Sequence, residues 1–489
     1  MYEELGRKIM AGIGFTLKRL ASKDNLIGIL RAYTHATLAS SGPWLFTVLA
    51  LGGVTLFYSD YFAANELINF RIVVVYNFGF SLMFAAPTYM VITRYLADSI
   101  HGKNVTHTPT VMLDSMLKLY ALLLPFGLFY YGYYVNLDVA MRLSAIANLF
   151  LISPIWLLGV YMTALKDYKS VTWSFFIGMG LAFLIGQLLK PAYGDAGMLN
   201  GFNIGLAYIA FSLVAKILAE YPYKLVEKTD INDYFRKYWE LAVGGFFYNA
   251  GIWVDKWLMW MYAPESIELP SKMIYFPDYD SAMFLAYLTI LPAMAIFIFS
   301  IETNFFLRYQ RFYYDILEHK PLAIIRKGHQ KIISTLLASS RNFFVIQGTI
   351  TLIFILTAAQ FFELLNINYL QIGIFRLGTL GAFFHVLLLF ELIILSYFDC
   401  RKVTMWIQGF FLASNAILTL WTIDLGFVYY GYGYFLSALL SFLITSFVLF
   451  SHIQKLPYHA FITRNNSLSE VFQKRKAGAI HEQQQDAKA

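Results

Sequence analysis

Asp255 and Lys256 stand side by side in Trp239–Tyr262, WELAVGGFFYNAGIWVDKWLMWMY, a stretch long enough as a helix to cross a bilayer. A charge at mid-membrane costs several kcal/mol, roughly 2.5–3.5 on insertion scales, so such residues need a reason to be there. Neighbours on a helix point about 100° apart, so each is expected to face its own partner or a wet cavity rather than neutralise the other. One reading is a structural pair near the outer interface, with Lys256 snorkelling. The other is a polar cavity wall with Trp253, Trp257 and Trp260 as aromatic platforms. Further ionisable groups fall inside apolar stretches: Arg94, Lys118, Arg142, Lys216, Glu302, Arg376 and Glu391, with Asn77, Asn249, Asn304 and His385 adding hydrogen-bonding capacity. A cavity with both charge signs and many Tyr and Trp suits a bulky polar cargo, because sugar rings stack on aromatics while hydroxyls and amines pair with Asp, Glu, Arg and Asn.

Other chemistries find no residues here. Walker A, HExxH and GxSxG patterns are missing, so neither ATP hydrolysis nor nucleophilic catalysis is indicated, and no enzyme is expected. The single Cys400 rules out an internal disulfide and a cysteine-based metal site. No cofactor or metal is expected; the energy source would be an ion gradient or a partner enzyme pushing the cargo.

These residues must be positioned by membrane-spanning helices. The chain is 58% hydrophobic and only 14% charged, with a mean hydropathy of +0.57, whereas soluble domains carry about 25% charged residues. Twelve spans are expected, at 34–58, 71–96, 110–131, 138–164, 170–189, 203–219, 239–262, 282–306, 342–362, 372–397, 404–422 and 428–452. With both termini cytoplasmic, Lys and Arg crowd the inner segments, seven of them between Arg308 and Arg341. The outer segments then hold only Arg71, Lys190 and Lys272. The net charge of +7 is therefore a topology signal and not one for nucleic acid. Residues 1–33 read as an amphipathic segment on the inner surface or against a cytosolic partner. They show no uninterrupted apolar core or small-residue cleavage site of a signal peptide.

The expected organisation is all-α: segment 1–33, a six-helix lobe at 34–219, a cytoplasmic linker at 220–238, a second six-helix lobe at 239–452 and a tail at 453–489. Arg31-x-Tyr33 falls on Arg236-x-Tyr238, and Pro87 on Pro292, at one shared offset, which suggests parallel repeats. Gly42-Pro43 and Gly244-Gly245, at comparable depths, are the hinge candidates. By depth, Asp255, Lys256, Arg376 and Arg142 are expected to form one outer polar cluster with Asp255 as shared counter-ion. Arg94, Lys118, Lys216, Glu302 and Glu391 fall at the inner end.

Met10–Phe15 with Leu17–Leu20, Arg31–Tyr33, Ser41–Trp44, Tyr248–Lys256, Ile301–Phe306, Phe375–Gly378 and Tyr397–Asp399 together resemble the PelG family of bacterial inner-membrane exopolysaccharide transporters. Nine residues precede the start of that pattern. The resemblance implies a flippase-like fold of the multidrug/oligosaccharidyl-lipid/polysaccharide superfamily. The implied cargo is a nascent polymer rich in N-acetylgalactosamine and galactosamine. Implied partners are a cytosolic UDP-sugar glycosyltransferase, a cyclic-di-GMP-binding membrane protein and a tetratricopeptide-containing membrane protein. The resemblance carries Asp255, Lys256, Glu302 and Arg376 over as family features. The expected substrate path comprises Arg94, Asn249, Trp253, Asp255, Lys256, Glu302, Asn304, Arg376 and Glu391. Arg94 and Glu302 would guide the chain at the cytoplasmic entrance, and Asp255, Lys256 and Arg376 would hold it or gate the outer half. The basic Arg308–Arg341 loop and N-terminal segment would dock partners or anionic lipid. Rival readings are an ion-coupled exporter of small amphiphilic molecules, a flippase for lipid-linked oligosaccharide, and a scaffold that anchors a glycosyltransferase.

Overall fold

The computed structural model describes residues 67–226, 229–292, 305–365, 367–459 and 461, and they are mostly helical. Eight of the described helices are long and apolar enough to cross a membrane. The span expected at 34–58, the residues Gly42 and Pro43, the amphipathic segment 1–33 and the site residues Glu302 and Asn304 lie outside the described residues.

The first group of helices is α1 (Ile68–His101), α2 (Thr108–Gly127), α3 (Val139–Leu165) and α4 (Tyr168–Glu220). Helix α2 runs on as a π-helical turn through Leu128–Tyr134. Three of the four starts have a local cause: Pro109 opens α2, where a missing N–H costs nothing. Asp138 caps α3 by accepting the Met141 N–H at 3.1 Å, and Asp167 caps α4 by accepting that of Ser170, also at 3.1 Å. Burial opposes ionisation of Asp167, but the Ser170 hydroxyl and N–H together with Lys216 outweigh it and hold its carboxyl below the usual range.

Helix α4 covers both expected spans 170–189 and 203–219, because the chain reverses at Gly194, where φ is 56° and ψ −134°. Its two arms press together at glycines. A Cβ added at Gly201 would collide with the backbone of Gly186, and one at Gly205 with the carbonyl of Gly178. Without a hydrophobic drive between helices in lipid, such close backbone approach is what holds a hairpin shut. Ser174 and Ser212 join the arms at 2.8 Å.

A short helix α5 (Ile231–Lys237) leads into α6 (Trp239–Tyr262), whose bounds match the expected span. Two-residue strands β1 (Ile267–Glu268) and β2 (Ile274–Tyr275) pair antiparallel. Then follow α7 (Pro277–Leu288), α8 (Phe306–Leu317), α9 (Leu322–Leu356), α10 (Ala358–Leu364), α11 (Ile372–Tyr397), α12 (Arg401–Leu425) and α13 (Tyr432–Gln454). Helix α9 begins twenty residues before the expected 342, so much of the basic Arg308–Arg341 segment is a helical hairpin of α8 and α9 rather than a loop. His329 bonds the Ile453 carbonyl at 2.8 Å and the Tyr309 hydroxyl bonds that of Tyr397 at 2.8 Å, which moors this hairpin to the ends of α13 and α11.

Helix α6 is long enough to span but less apolar than the eight. Its position explains that: it lies between α1 on one side and α12 on the other, with Asn249, Asp255 and Lys256 buried. The adjacent glycines serve this placement. A Cβ at Gly244 would meet Gln408 of α12, and one at Gly245 would meet Met90 and Ala86 of α1. The helix runs unbroken through both, so here they permit close approach on two sides.

Candidate functional site

Helices α1 and α6 form the main seam between the two helix groups. At mid-seam the Asn249 amide donates to the Tyr89 hydroxyl and to the Gly245 carbonyl, both at 2.8 Å. Trp253 packs on Gly79, where an added Cβ would lie 3.0 Å from the indole, and it stacks on Trp257. At the end away from the linker, Tyr76 stacks on Trp260 with centroids 4.5 Å apart and its hydroxyl donates to the Ile274 carbonyl at 2.6 Å.

Asp255 and Lys256 are held inside the second group, not at the seam. Asp255 is 0% exposed and Lys256 8%. The expectation that helical neighbours cannot neutralise each other is corrected here. The Lys256 stem folds back, so its ammonium donates to both Asp255 oxygens at 3.0 Å, to the Ile252 carbonyl at 2.9 Å and to the Tyr287 hydroxyl at 3.0 Å. Four flexible carbons bridge the 100° that a stiff side chain would not. Tyr279 donates to Asp255 Oδ2 at 2.8 Å, and the ammonium also lies 4.7 Å from the Tyr287 ring centroid and 5.5 Å from that of Tyr434. His385 continues the network, held between the Tyr434 hydroxyl at 2.8 Å and the Tyr248 hydroxyl at 2.9 Å. Helices α6, α7, α11 and α13 are thus tied by one buried polar chain. The first group has its counterpart: Tyr131 donates to Asn77, Asn77 to Asn148, and Asn148 to Asn203, at 2.7–2.9 Å across α1, α3, α4 and the end of α2.

Arg376 and Arg142 do not join Asp255. Arg376 donates to the Ile355 carbonyl at 3.1 Å, and Arg142 to that of Leu137 at 3.0 Å. Glu391 accepts from Ser446 at 2.6 Å. Lys118 pairs with Asp114 at 2.6 Å, and Lys216 with Glu220 at 2.8 Å and Asp167 at 3.3 Å.

At the linker end Arg94 enters an ionic cluster that joins both groups. It pairs with Asp98 at 3.2 Å and lies 3.9 Å from Asp399, which in turn pairs with Arg401 at 3.2 Å. Arg401 also reaches Glu240 at 3.7 Å and the Lys237 carbonyl at 3.2 Å. Tyr238, Glu240, Asp399 and Arg401 were not among the expected site residues, nor were Tyr279, Tyr287 and Tyr434. The Arg31-x-Tyr33 and Arg236-x-Tyr238 match, a sign of repeats only, is the one sequence feature that includes Tyr238.

Helix groups meeting along one seam, each knit internally by polar chains and built from helices long and apolar enough to cross a bilayer, define a multi-pass membrane protein. The fold resembles those of solved transporters of the MOP superfamily. An outward-facing multidrug resistance MATE family transporter superposes with a TM-score of 0.63 at 12% identity, covering 87% of this chain and 96% of its own. A MOP superfamily transporter from Pyrococcus furiosus gives 0.60 at 11%, covering 86% and 96%. The MATE transporter ClbM in complex with Rb+ gives 0.59 at 10%, covering 85% and 94%. Among curated proteins no similar chain is found. Residues 10–461 match the model of the PelG family, putative exopolysaccharide exporters (EPS-E), and the chain belongs to that family. It is a transporter rather than an enzyme.

Proposed function

We propose that the chain carries nascent Pel-type exopolysaccharide, rich in N-acetylgalactosamine and galactosamine, across the bacterial inner membrane as the transport subunit of a synthase complex. The observation that carries this reading is the family match along residues 10–461. Twelve helices in two parallel lobes, with both termini cytoplasmic, are part of the proposal. The polymer passes between the lobes along the α1–α6 seam, where Asn249 and Trp253 line the contact and would turn their amide and indole to the cargo once the lobes part. Arg94 and Glu302 border the cytoplasmic entrance. Asp255 and Lys256 hold the second lobe in the shape that lines the outer half, with Asn304 further along the path, while Arg376 and Glu391, bonded toward α9 and α13, brace that lobe from behind. Gly42-Pro43 and Gly244-Gly245 are the points about which the lobes move. The proposed partners are the UDP-sugar glycosyltransferase, the cyclic-di-GMP-binding protein and the tetratricopeptide-containing protein. The α8–α9 hairpin, with Arg311, Arg326, Lys327 and Lys331 exposed, is the docking surface for these or for anionic lipid.

The test is purification of the tagged chain in mild detergent, with mass spectrometry of what accompanies it. Co-recovery of a glycosyltransferase and a cyclic-di-GMP-binding protein, with polymer export lost on deletion, is the expected result. A lone protein whose deletion spares export but sensitises cells to cationic drugs would replace the reading with small-molecule export.

A further inference from the structure

Tyr238 lies where the two helix groups meet at the linker end. It closes α5, caps the start of α6, and is 4% exposed despite being a tyrosine at a helix end. Its ring is enclosed by cations: the Arg401 guanidinium lies 4.8 Å from the centroid, that of Arg94 5.3 Å and the Lys237 ammonium 5.2 Å. Its hydroxyl donates to Asp98 at 3.4 Å. Arg94 and Asp98 belong to α1, and Arg401 to α12. A single side chain thus bridges the groups, gripped by an arginine from each.

The charges balance around it. Arg94 and Arg401 are held by Asp98, Asp399 and Glu240, so the guanidiniums can flank one ring without facing each other unscreened. Asp399 sits at φ 56°, a left-handed conformation that aspartate adopts more readily than most residues, and the turn it makes between α11 and α12 aims its carboxylate at both arginines. The contrast with the opposite end is chemical. There the seam closes through aromatic stacking and hydrogen bonds to backbone, whereas here it closes through exchangeable ionic contacts.

We propose that Tyr238, clamped between Arg94 and Arg401, is the closure of the path at the linker end, and that this clamp must release for a chain to enter between the lobes. The inference rests on the exporter reading of the α1–α6 seam. It also reassigns Arg94, from a free guide for the cargo to one jaw of the closure.

Cys400, the only cysteine of the chain, lies between Asp399 and Arg401 and reports on the clamp. The experiment follows its modification rate by N-ethylmaleimide in native membranes containing the full-length protein. Tyr238→Ala removes the bridge and is expected to raise the rate about five-fold or more, the factor by which a loss near 1 kcal/mol shifts a two-state equilibrium. Tyr238→Phe keeps the ring that the guanidiniums approach and should stay near the wild-type rate. Arg94→Gln, at a partly exposed position, should raise the rate in the same direction if Tyr238→Ala fails to fold. Wild-type labelling in folded Tyr238→Ala or Arg94→Gln protein overturns the clamp. Labelling needs no cargo, so failure of the exporter reading leaves this measurement unchanged. Export lost with labelling unaltered would sink the clamp alone.

Discussion

Replacing Asp255 by Asn asks whether the buried ion pair is architecture. Asp255 is fully enclosed, and its carboxylate accepts from Lys256 through both oxygens and from Tyr279. Asparagine keeps the shape but removes the charge, which leaves the Lys256 ammonium among Ile252 O, Tyr287 and the Tyr434 face without its bonded carboxylate. Removing one partner of a buried pair typically costs about 3–5 kcal/mol, far more than the pair contributes over a well-packed apolar substitute. Among the described residues no other carboxylate is bonded to Lys256, so the upper half of that range, roughly 4–5 kcal/mol, is expected. The assay is heat inactivation followed by size-exclusion chromatography of detergent-solubilised protein, since membrane proteins rarely refold and stability is read as a rate. Asp255→Asn should lose its monodisperse peak at clearly lower temperature. Asp255→Asn with Lys256→Met should recover most of the loss, because no orphan charge remains. Export by the double variant then separates the roles: normal export marks the pair as scaffold, and lost export in a stable protein marks it as part of the path. A single Asp255→Asn protein as heat-resistant as wild type would refute the reasoning.

Gly201→Val should separate the arms of α4, because the new side chain meets the Gly186 backbone and not a movable side chain. Overpacking costs about 1–3 kcal/mol, and lower yield of folded protein in membranes is the readout, with unchanged yield contradicting the hairpin packing. Asn148→Leu interrupts the chain from Asn77 to Asn203. Interhelical hydrogen bonds in membranes average about 0.6 kcal/mol, so losing two should lower heat resistance by roughly 1–2 kcal/mol while export persists. Asn148→Asp, which leaves a charge in the same place, should be worse than leucine in the same assay.

Hydropathy and Lys/Arg placement made the membrane class and most helix bounds legible, and α3, α6 and α11 fall within a residue or so of their expected limits. The physical reason is that lipid tests each span on its own, so length and polarity are local properties of the chain. Intramembrane charges were legible for the same reason, since Asp255 and Lys256 stand out against any apolar window. Their partners were not. Tyr279, Tyr287, Tyr434 and His385 come from three other helices, and only packing brings their hydroxyls and ring nitrogens to 2.8–3.0 Å. Depth estimates put Arg376 and Asp255 at one level, yet depth leaves rotation about the helix axis open, and Arg376 turns toward α9. The linker-end clamp shows the limit most plainly. Tyr238 reads as an ordinary aromatic beside basic residues until α1 and α12 deliver Arg94 and Arg401 to its ring. The sequence by itself marked the apolar stretches and the charges that lie within them; the azimuth of each helix, and with it every ion pair across helices, was decided by tertiary packing, because burial depends on composition whereas pairing depends on which faces meet.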